Sequence, residues 1–325
     1  MDAAAVLDHF SRTLPPADRE ARPTLKDAAR TALAAREAFP WCAALGEEDF
    51  LRFVACPRVN DEPLVPCRAF FARELAPRVA GLSWEQAVLA VNRWCAEHVT
   101  YRFNEAPTAD ALTVFRRGHG RCGEESVFAV HALRSVGVAA RQVYAVWWAH
   151  CDDNHAWVEV FDGGAWHYLG ACEPEPVLDR GWFTAAAARA VYIRWKDWDP
   201  AAPGGFWSRP VTDRYAPVSP LAVQVRDDAG RPVAGARVSF SLLNTGSLRE
   251  LTAASTDEDG RVALSLGRGS VWVAVSQGGL LAEALVQVGE TSALSLTLAP
   301  PRGTSWRALR FAAPTESGTF KPPLS

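Results

Sequence analysis

Two residues in one stretch of this 325-residue chain have the types and the setting for covalent chemistry. Cys122 stands in GHGRCGEESVFAVHALRSVG, and His155 stands 33 residues later in DDNHAWVEVF. The pattern predicts a helix from about Gly123 to Val136, stopped by Gly137, with the cysteine at its mouth. A thiol there meets backbone N–H groups with no partner inside the helix and the positive end of the helix dipole. Both favour the thiolate, which is the nucleophilic form. Gly118, Gly120 and Gly123 leave room for a substrate backbone. Glu124 and Glu125 oppose the thiolate unless they point away or bind Arg121, and for Glu124 a capping role is favoured over a substrate contact. His155 opens a strand whose alternation puts His155, Trp157 and Glu159 on one face. Taken singly, the cysteine reads as a buried structural thiol and the histidine as a satisfied core or surface residue. As a pair they are a nucleophile and a base.

Such a pair uses a third group to orient the imidazole. Asp162-Gly163-Gly164 signals a hairpin whose pairing sets His155 opposite about Cys172. Glu173 is the nearest carboxylate past that strand, with Glu175 behind it, and Asp152, Asp153 and Asn154 lie on the other side. The backbone N–H of Cys122, with Gln86 or Trp94, would hold an oxyanion. Trp157, Trp94 and Gln86 are the candidates for contact with substrate. Cys151, His155 and Cys172 show no fourth ligand, so neither a metal nor a cofactor is expected. The Asp257–Asp259 run reads as a β-turn and not as a calcium loop.

The elements that must position these groups follow from periodicity. Residues 1–82 read as a helical N-terminal region. In it, Val6, Leu7, Phe10 and Leu14 form one face, and Leu25, Ala28, Ala29, Ala32 and Leu33 form another. A short helical turn is expected over 49–54, and CPRVNDEPLVPCR after it reads as an irregular loop. Residues 83–198 form the candidate catalytic core. Its first helix opens with a Ser83–Gln86 capping box and buries Ala87, Val88, Val91, Trp94 and Cys95. Strands follow over 138–148, 156–161 and 165–171, then an Ala-rich helix within 175–200. Residues 199–219, rich in Pro and Gly, read as a linker. Six short strands with turn residues between them fill 220–299 and indicate a β-sandwich. The tail 300–325 is polar, with a weak Trp306–Phe311 cluster. Helices, one central helix and then an antiparallel sheet make the class α+β. Arg134 and Arg141 are expected to tie the helix to the strand by salt bridges.

RCGEESVFAVHALRSVGVAARQVY, then NHAWVEVF and GAWHYLG, resembles the core of the transglutaminase-like superfamily over about 84–185. A bacterial subgroup with HCDDNHAWVEV and GACEPEP is similar too. The resemblance implies a papain-like α+β fold with a Cys–His–Asp triad, in which Cys122 is the nucleophile and His155 the base. The family's third residue is commonly an Asp four positions after the strand's Trp, a place that here holds Gly170. Glu173, a backbone group or an Asn would have to replace it. The segment 220–299 is similar to transthyretin-like or carboxypeptidase-regulatory-like sandwiches through DDAGRPVAGARVSF and TDEDGRVAL. Two functions follow as expectations. One is cysteine-dependent acyl transfer on amides of a protein or peptide, to water or to an amine. The other is a catalytically weak or inactive scaffold that binds protein or glycan.

Composition bounds the rest. A hydrophobic fraction of 49%, a charged fraction of 22% and a net charge of -3 describe an ordinary folded chain with no bias toward nucleic acid. The thirteen Trp serve core packing first and groove lining second. Seven Cys without a CxxC pair argue against a zinc ribbon or a thioredoxin-like site. A disulfide between Cys151 and Cys172 would need an oxidising compartment. No apolar run long enough to span a membrane occurs. With no signal peptide at Met1 the expected location is cytoplasmic, and secreted or periplasmic if a leader has been removed.

Overall fold

The computed structural model describes residues 1–301, and the Trp306–Phe311 cluster lies outside the described residues. The chain divides into two compact units. The first holds 1–144, 155–181 and 195–209; the second holds 145–154, 182–194 and the chain from 210 onward.

In the first unit, α1 (Ala3–Thr13) is capped by Asp2 and buries Val6 and Phe10, as the spacing predicts. It stops ahead of the two prolines. Helix α2 (Arg22–Ala38) buries Leu25, Ala28, Ala29 and Ala32. The expected turn near 49–54 is a π-helical turn, Phe50–Ala55. Helix α3 (Arg68–Val79) is a finding, since no local signal announces it. Its cap comes from α2, where the Asp27 carboxylate accepts from the N–H groups of Arg68 and Ala69 at 2.7 and 3.1 Å. Helix α4 (Trp84–His98) has the predicted capping box, with Gln86 N on Ser83 Oγ and Ser83 N on Gln86 Oε1. Helix α5 (Ala111–Arg117) is capped by Asp110.

Helix α6 (Cys122–Ser135) is the centre of this unit. Every residue from Gly123 to Ser135 is buried, so it is enclosed on all sides and not amphipathic. It packs on α3, α4, α5 and the strand that carries His155. Gly137 ends it with φ +75°. The N–H groups of Gly137 and Val138 return to Arg134 O and Leu133 O, both at 3.1 Å. A side chain at 137 would also collide with Cys42.

Behind the helix lies a five-stranded sheet built from β1 (Ala139–Ala145), β2 (His155–Phe161), β3 (Trp166–Leu169), β4 (Ile193–Trp198) and β5 (Phe206–Pro210), in the order β3-β2-β1-β4-β5. Strands β4 and β5 correct two expectations. The Ala-rich helix is only a single turn, Thr184–Ala187, and the supposed linker contributes a strand. Strands β2 and β3 pair antiparallel, Val158 with Leu169 and Phe161 with Trp166. Asp162 Oδ1 closes their turn by accepting from Gly164 N and Ala165 N, each at 2.7 Å.

The second unit is a two-sheet sandwich. One sheet is β6 (Val218–Arg226), β9 (Arg261–Gly267) and β12 (Ala293–Thr297), in the order β9-β6-β12; the other is β7 (Arg237–Asn244), β8 (Ser247–Ser255), β10 (Gly269–Gln277) and β11 (Leu280–Val288), in the order β8-β7-β10-β11. Pairing is antiparallel except between β12 and β6. Alternating residues such as Val223, Val225, Phe240, Leu266, Val273 and Val275 fill the space between the sheets. Strand β8 was not expected. It is an edge strand in which only Leu251 is buried, so its sequence reads as polar. Asp257 Oδ1 accepts from Asp259 N and Arg261 N and forms the predicted turn. The segment 145–154 belongs to this unit. Asn244, buried at the end of β7, donates from Nδ2 to Trp148 O and Cys151 O, both at 2.9 Å, and to Asp153 O at 3.3 Å.

Candidate active site

Cys122 is the first residue of α6, one position further into the helix than the sequence suggests, and is half-buried. The turn beneath it is tied by side chains. Ser126 Oγ donates to Cys122 O at 2.7 Å, and Gln142 Nε2, from β1, donates to Gly123 O at 2.9 Å and to Ser126 Oγ at 2.6 Å. Asn60 Nδ2 then donates to Gln142 Oε1 at 2.6 Å. Asn60 sits in the loop CPRVNDEPLVPCR, which does more than connect. Glu62, buried, accepts from Val59 N and Asn60 N at 2.9 and 2.6 Å and faces His131 Nε2 on α6 at 3.5 Å. Burial pushes the His131 pKa down to about 4, so the ring is neutral, and its Nδ1 accepts from Arg68 Nε at 2.9 Å.

Glu124, the first of the two glutamates after the cysteine, is compatible with a thiolate. Glu124 is buried and accepts from Asn104 Nδ2 at 2.8 Å, Ala109 N at 3.1 Å and Arg121 N at 3.0 Å, and it pairs with Arg117. Burial pushes its pKa up, but those hydrogen bonds and the Arg117 guanidinium outweigh this and hold it below the usual carboxylate range. Its charge is therefore committed to these donors. Arg121 lays its guanidinium against Gly123, where any Cβ would collide with it, and brings a positive charge beside Cys122. Burial pushes the thiols of Cys42 and Cys67 up to about 12, which makes them poor nucleophiles.

His155 is the first residue of β2, and this strand packs on α6. It is buried, its ring stacks with that of Trp157 at 5.9 Å, and Glu159 on the same face pairs with Arg141 at 2.6 Å. This corrects the roles of both arginines. Arg141 links β1 to β2, and Arg134 makes hydrogen bonds to the carbonyls of Ala140, Cys56 and Arg58.

The pairing of β2 with β3 runs from Phe161 and Trp166 to Val158 and Leu169, and the strand ends at Leu169, so the expected pairing of His155 with Cys172 is not part of the ladder. There the chain turns. Cys172 has φ +57°, and Glu173 N closes the turn on Gly170 O at 3.2 Å. A Cβ built on Gly170 would fall on Glu173 Oε2 and lie 2.8 Å from Glu173 Cβ and 3.0 Å from its Cδ. The Glu173 carboxylate thus fills the space that a side chain at 170 would use. Asn92, buried in α4, holds this turn from both ends of its amide. Its Nδ2 donates to Gly170 O at 2.9 Å and Glu173 O at 3.2 Å, and its Oδ1 accepts from Cys172 N at 3.0 Å.

The three residues expected to touch substrate are elsewhere engaged. Trp94 is enclosed by Phe71, Phe115, Phe128 and His98, and Trp157 is fully buried. Gln86 gives its side-chain carbonyl to the cap of α4. Sequence reasoning passed over Asn92, Gln142 and Asn60. For Asn92 a signal existed, because a polar residue within the apolar stripe of α4 needs a buried partner. Gln142 and Asn60 gave none, since they meet across 82 residues of sequence. Among the described residues, no group of three or more His, Cys, Asp or Glu is arranged to hold a metal ion, and no helix is long and apolar enough to cross a membrane.

Among curated proteins, none matches the chain significantly. Three solved structures illustrate the structural likeness. A proposed cysteine protease from Cytophaga hutchinsonii is 19% identical with a TM-score of 0.29, over 34% of this chain and 40% of that one. A transglutaminase is 21% identical with a TM-score of 0.28, over 32% of this chain and 31% of that one. Red sea bream transglutaminase is 11% identical with a TM-score of 0.28, over 67% of this chain and 53% of that one. The matched regions thus span between about a third and a half of those proteins' own length. Residues 73–171 match the model of the transglutaminase-like superfamily core, and 220–299 match that of the carboxypeptidase regulatory-like domain. The chain therefore joins a transglutaminase-like domain to a carboxypeptidase regulatory-like domain.

Proposed function

We propose that the first unit carries out cysteine-dependent acyl transfer on amide bonds of a protein or peptide. Cys122 is the nucleophile, His155 the base and Glu173 the group that orients the imidazole. The transglutaminase-like domain supports a cysteine-dependent activity in general. The observation that carries the finer reading is the Glu173 carboxylate lying over Gly170, because it supplies an acid where the resemblance leaves a gap. In the reaction, His155 takes the thiol proton and the sulfur attacks the amide carbonyl. The C–N bond breaks, and the amine leaves with the proton returned by His155. Water or an amine then attacks the thioester and regenerates the thiol. Hydrolysis is the favoured outcome, since nothing in the sequence points to a device that excludes water.

The test is the pH dependence of iodoacetamide alkylation at Cys122, read by mass spectrometry. The expected midpoint lies below the ~8.5 of an ordinary thiol. It rises in His155→Ala. A midpoint at the ordinary value in the native protein would remove the enzymatic reading and favour the binding scaffold. A peptide library that leaves a thioester adduct on Cys122 would identify the acyl donor.

A further inference from the structure

A cavity of about 350 Å³ opens in the first unit, between α1, the π-helical turn, β1 and β4. It is within the size range of small-molecule sites. Aromatic rings of Phe53, Trp195 and Trp198 line it together with six cationic side chains. Most of these cations are answered by carboxylates. Arg12 pairs with Asp8, Arg52 with Glu48 and Asp197, Arg58 with Asp18, Arg141 with Glu159, and Lys196 with Asp61. The wall carboxylates are likewise engaged: Asp197 also takes Arg209, and Asp199 accepts from Trp207 Nε1 and Ala201 N.

Arg134 is different. It is 3% exposed, and among the described residues no carboxylate lies within ion-pair distance of it. Its Nε and Nη1 donate to the carbonyls of Ala140, Cys56 and Arg58, and its Nη2 meets no acceptor among the described residues. Burial lowers its pKa to about 10 and Arg68 adds to this, more than Cys56 and Glu62 offset. A second donor on the same cavity is in the same condition. The indole N–H of Trp198 is buried and meets no acceptor among the described residues. A buried guanidinium and a buried N–H each cost free energy until an acceptor reaches them.

We infer that this cavity binds a small organic oxyanion, a carboxylate or phosphate that accepts hydrogen bonds from Arg134 Nη2 and Trp198 Nε1. The net charge of the lining does not select it, because the surrounding pairs nearly cancel. The two unanswered donors do.

The test is calorimetric titration of the full chain with succinate and with glycerol 3-phosphate, at constant ionic strength, with succinamide as the uncharged control. Saturable binding of at least one anion, and none of succinamide, is expected. The tighter of the two identifies the headgroup. Trp198→Phe removes the indole N–H but keeps an aromatic ring, and should weaken binding by about tenfold. Arg134→Lys keeps the charge but loses the forked donor, and should weaken it at least as much. No saturable binding of either anion at 10 millimolar, on the order of the weakest specific sites, would overturn the inference. So would binding that both variants leave unchanged.

Discussion

Two buried asparagines each hold one irregular segment, Asn92 the turn at 170–173 and Asn244 the segment at 148–153, and they do it differently. Asn92 in the first unit engages both ends of its amide: two carbonyls accept from Nδ2, and Cys172 N donates to Oδ1. Asn244 in the second unit uses only its donor end, on three carbonyls, and its Oδ1 has no partner among the described residues. A clamp that both gives and accepts fixes a turn in position and in orientation, whereas a donor alone fixes position. The turn with the full clamp is the one that carries Glu173, the group proposed to orient a catalytic ring. Under the proposed function the difference follows the demand of the chemistry, because an orienting carboxylate displaced by an ångström loses much of its effect.

The largest effect should come from breaking the cargo of the Asn92 clamp. Glu173→Ala should lower turnover by about 10³-fold or more, with little change in fold, as loss of an orienting acid does elsewhere. Gly170→Asp alone should unfold or inactivate the protein, since its side chain meets the Glu173 carboxylate. The double variant Gly170→Asp/Glu173→Ala should recover part of the activity. A double variant no better than Glu173→Ala would refute the exchange of one acid position for the other.

Removing the clamps themselves comes next. Asn92→Ala leaves two carbonyls and one N–H buried without partners and should cost about 3 kcal/mol in denaturant unfolding, with a drop in kcat larger than any rise in KM. Asn244→Ala also removes an unsatisfied oxygen, so about 1 kcal/mol is expected and kcat should be nearly unchanged. Equal losses in the two variants would erase the distinction drawn between them.

Acid should then loosen the first unit. The folded pKa of His131 is about 4 against an ordinary 6.5, so between these values the unfolded chain binds more protons than the folded one. Stability is complete above pH 6.5 and falls by about 3 kcal/mol as pH drops to 4. His131→Gln should flatten this slope in urea titrations, although the variant is less stable at neutral pH.

The smallest effect concerns the far end of the turn that Asn92 holds. His167 Nδ1 meets Asp179 Oδ2 at 2.6 Å, and Asp179 Oδ1 accepts from Tyr168 N at 2.9 Å. Partial burial lowers the His167 pKa, but Asp179 and Asp162 outweigh it and raise the value above 6.5. The folded state therefore binds the extra proton, and the stabilisation is complete below pH 6.5 and fades as pH rises through the folded value. For so exposed a pair no more than about 0.5 kcal/mol is expected, read as a difference in melting temperature between pH 6 and pH 9 that His167→Gln abolishes.

Local signals carried much of this fold. The Ser83–Gln86 box, Gly137 and the Asp162-Gly163-Gly164 turn each act within a few residues of themselves, and the last of these sets the register that pairs Val158 with Leu169. What stayed hidden depends on distant partners. Helix α3 takes its cap from Asp27, 41 residues away, and β8 is polar because it is an edge. Trp94, Trp157 and Gln86 have the chemistry of substrate contacts, and only packing reveals that they are spent on the core and on a cap. The placement of Cys122 at a helix start and of His155 at a strand start was legible because both are local features. The clamp on Glu173 was not, since Asn92 and Cys172 lie 80 residues apart.

Gly170 and Glu173 share one volume, and that has a consequence for descent. Neither position can change alone without either emptying the space or filling it twice. Relatives of this chain should therefore divide into two lineages, one with a glycine at 170 and an acid at 173, the other with an acid at 170 and a small neutral residue at 173. Chains with acids at both positions or at neither should be rare among active members. The pair forms a two-letter signature for tracing when the proposed third group moved from one position to the other.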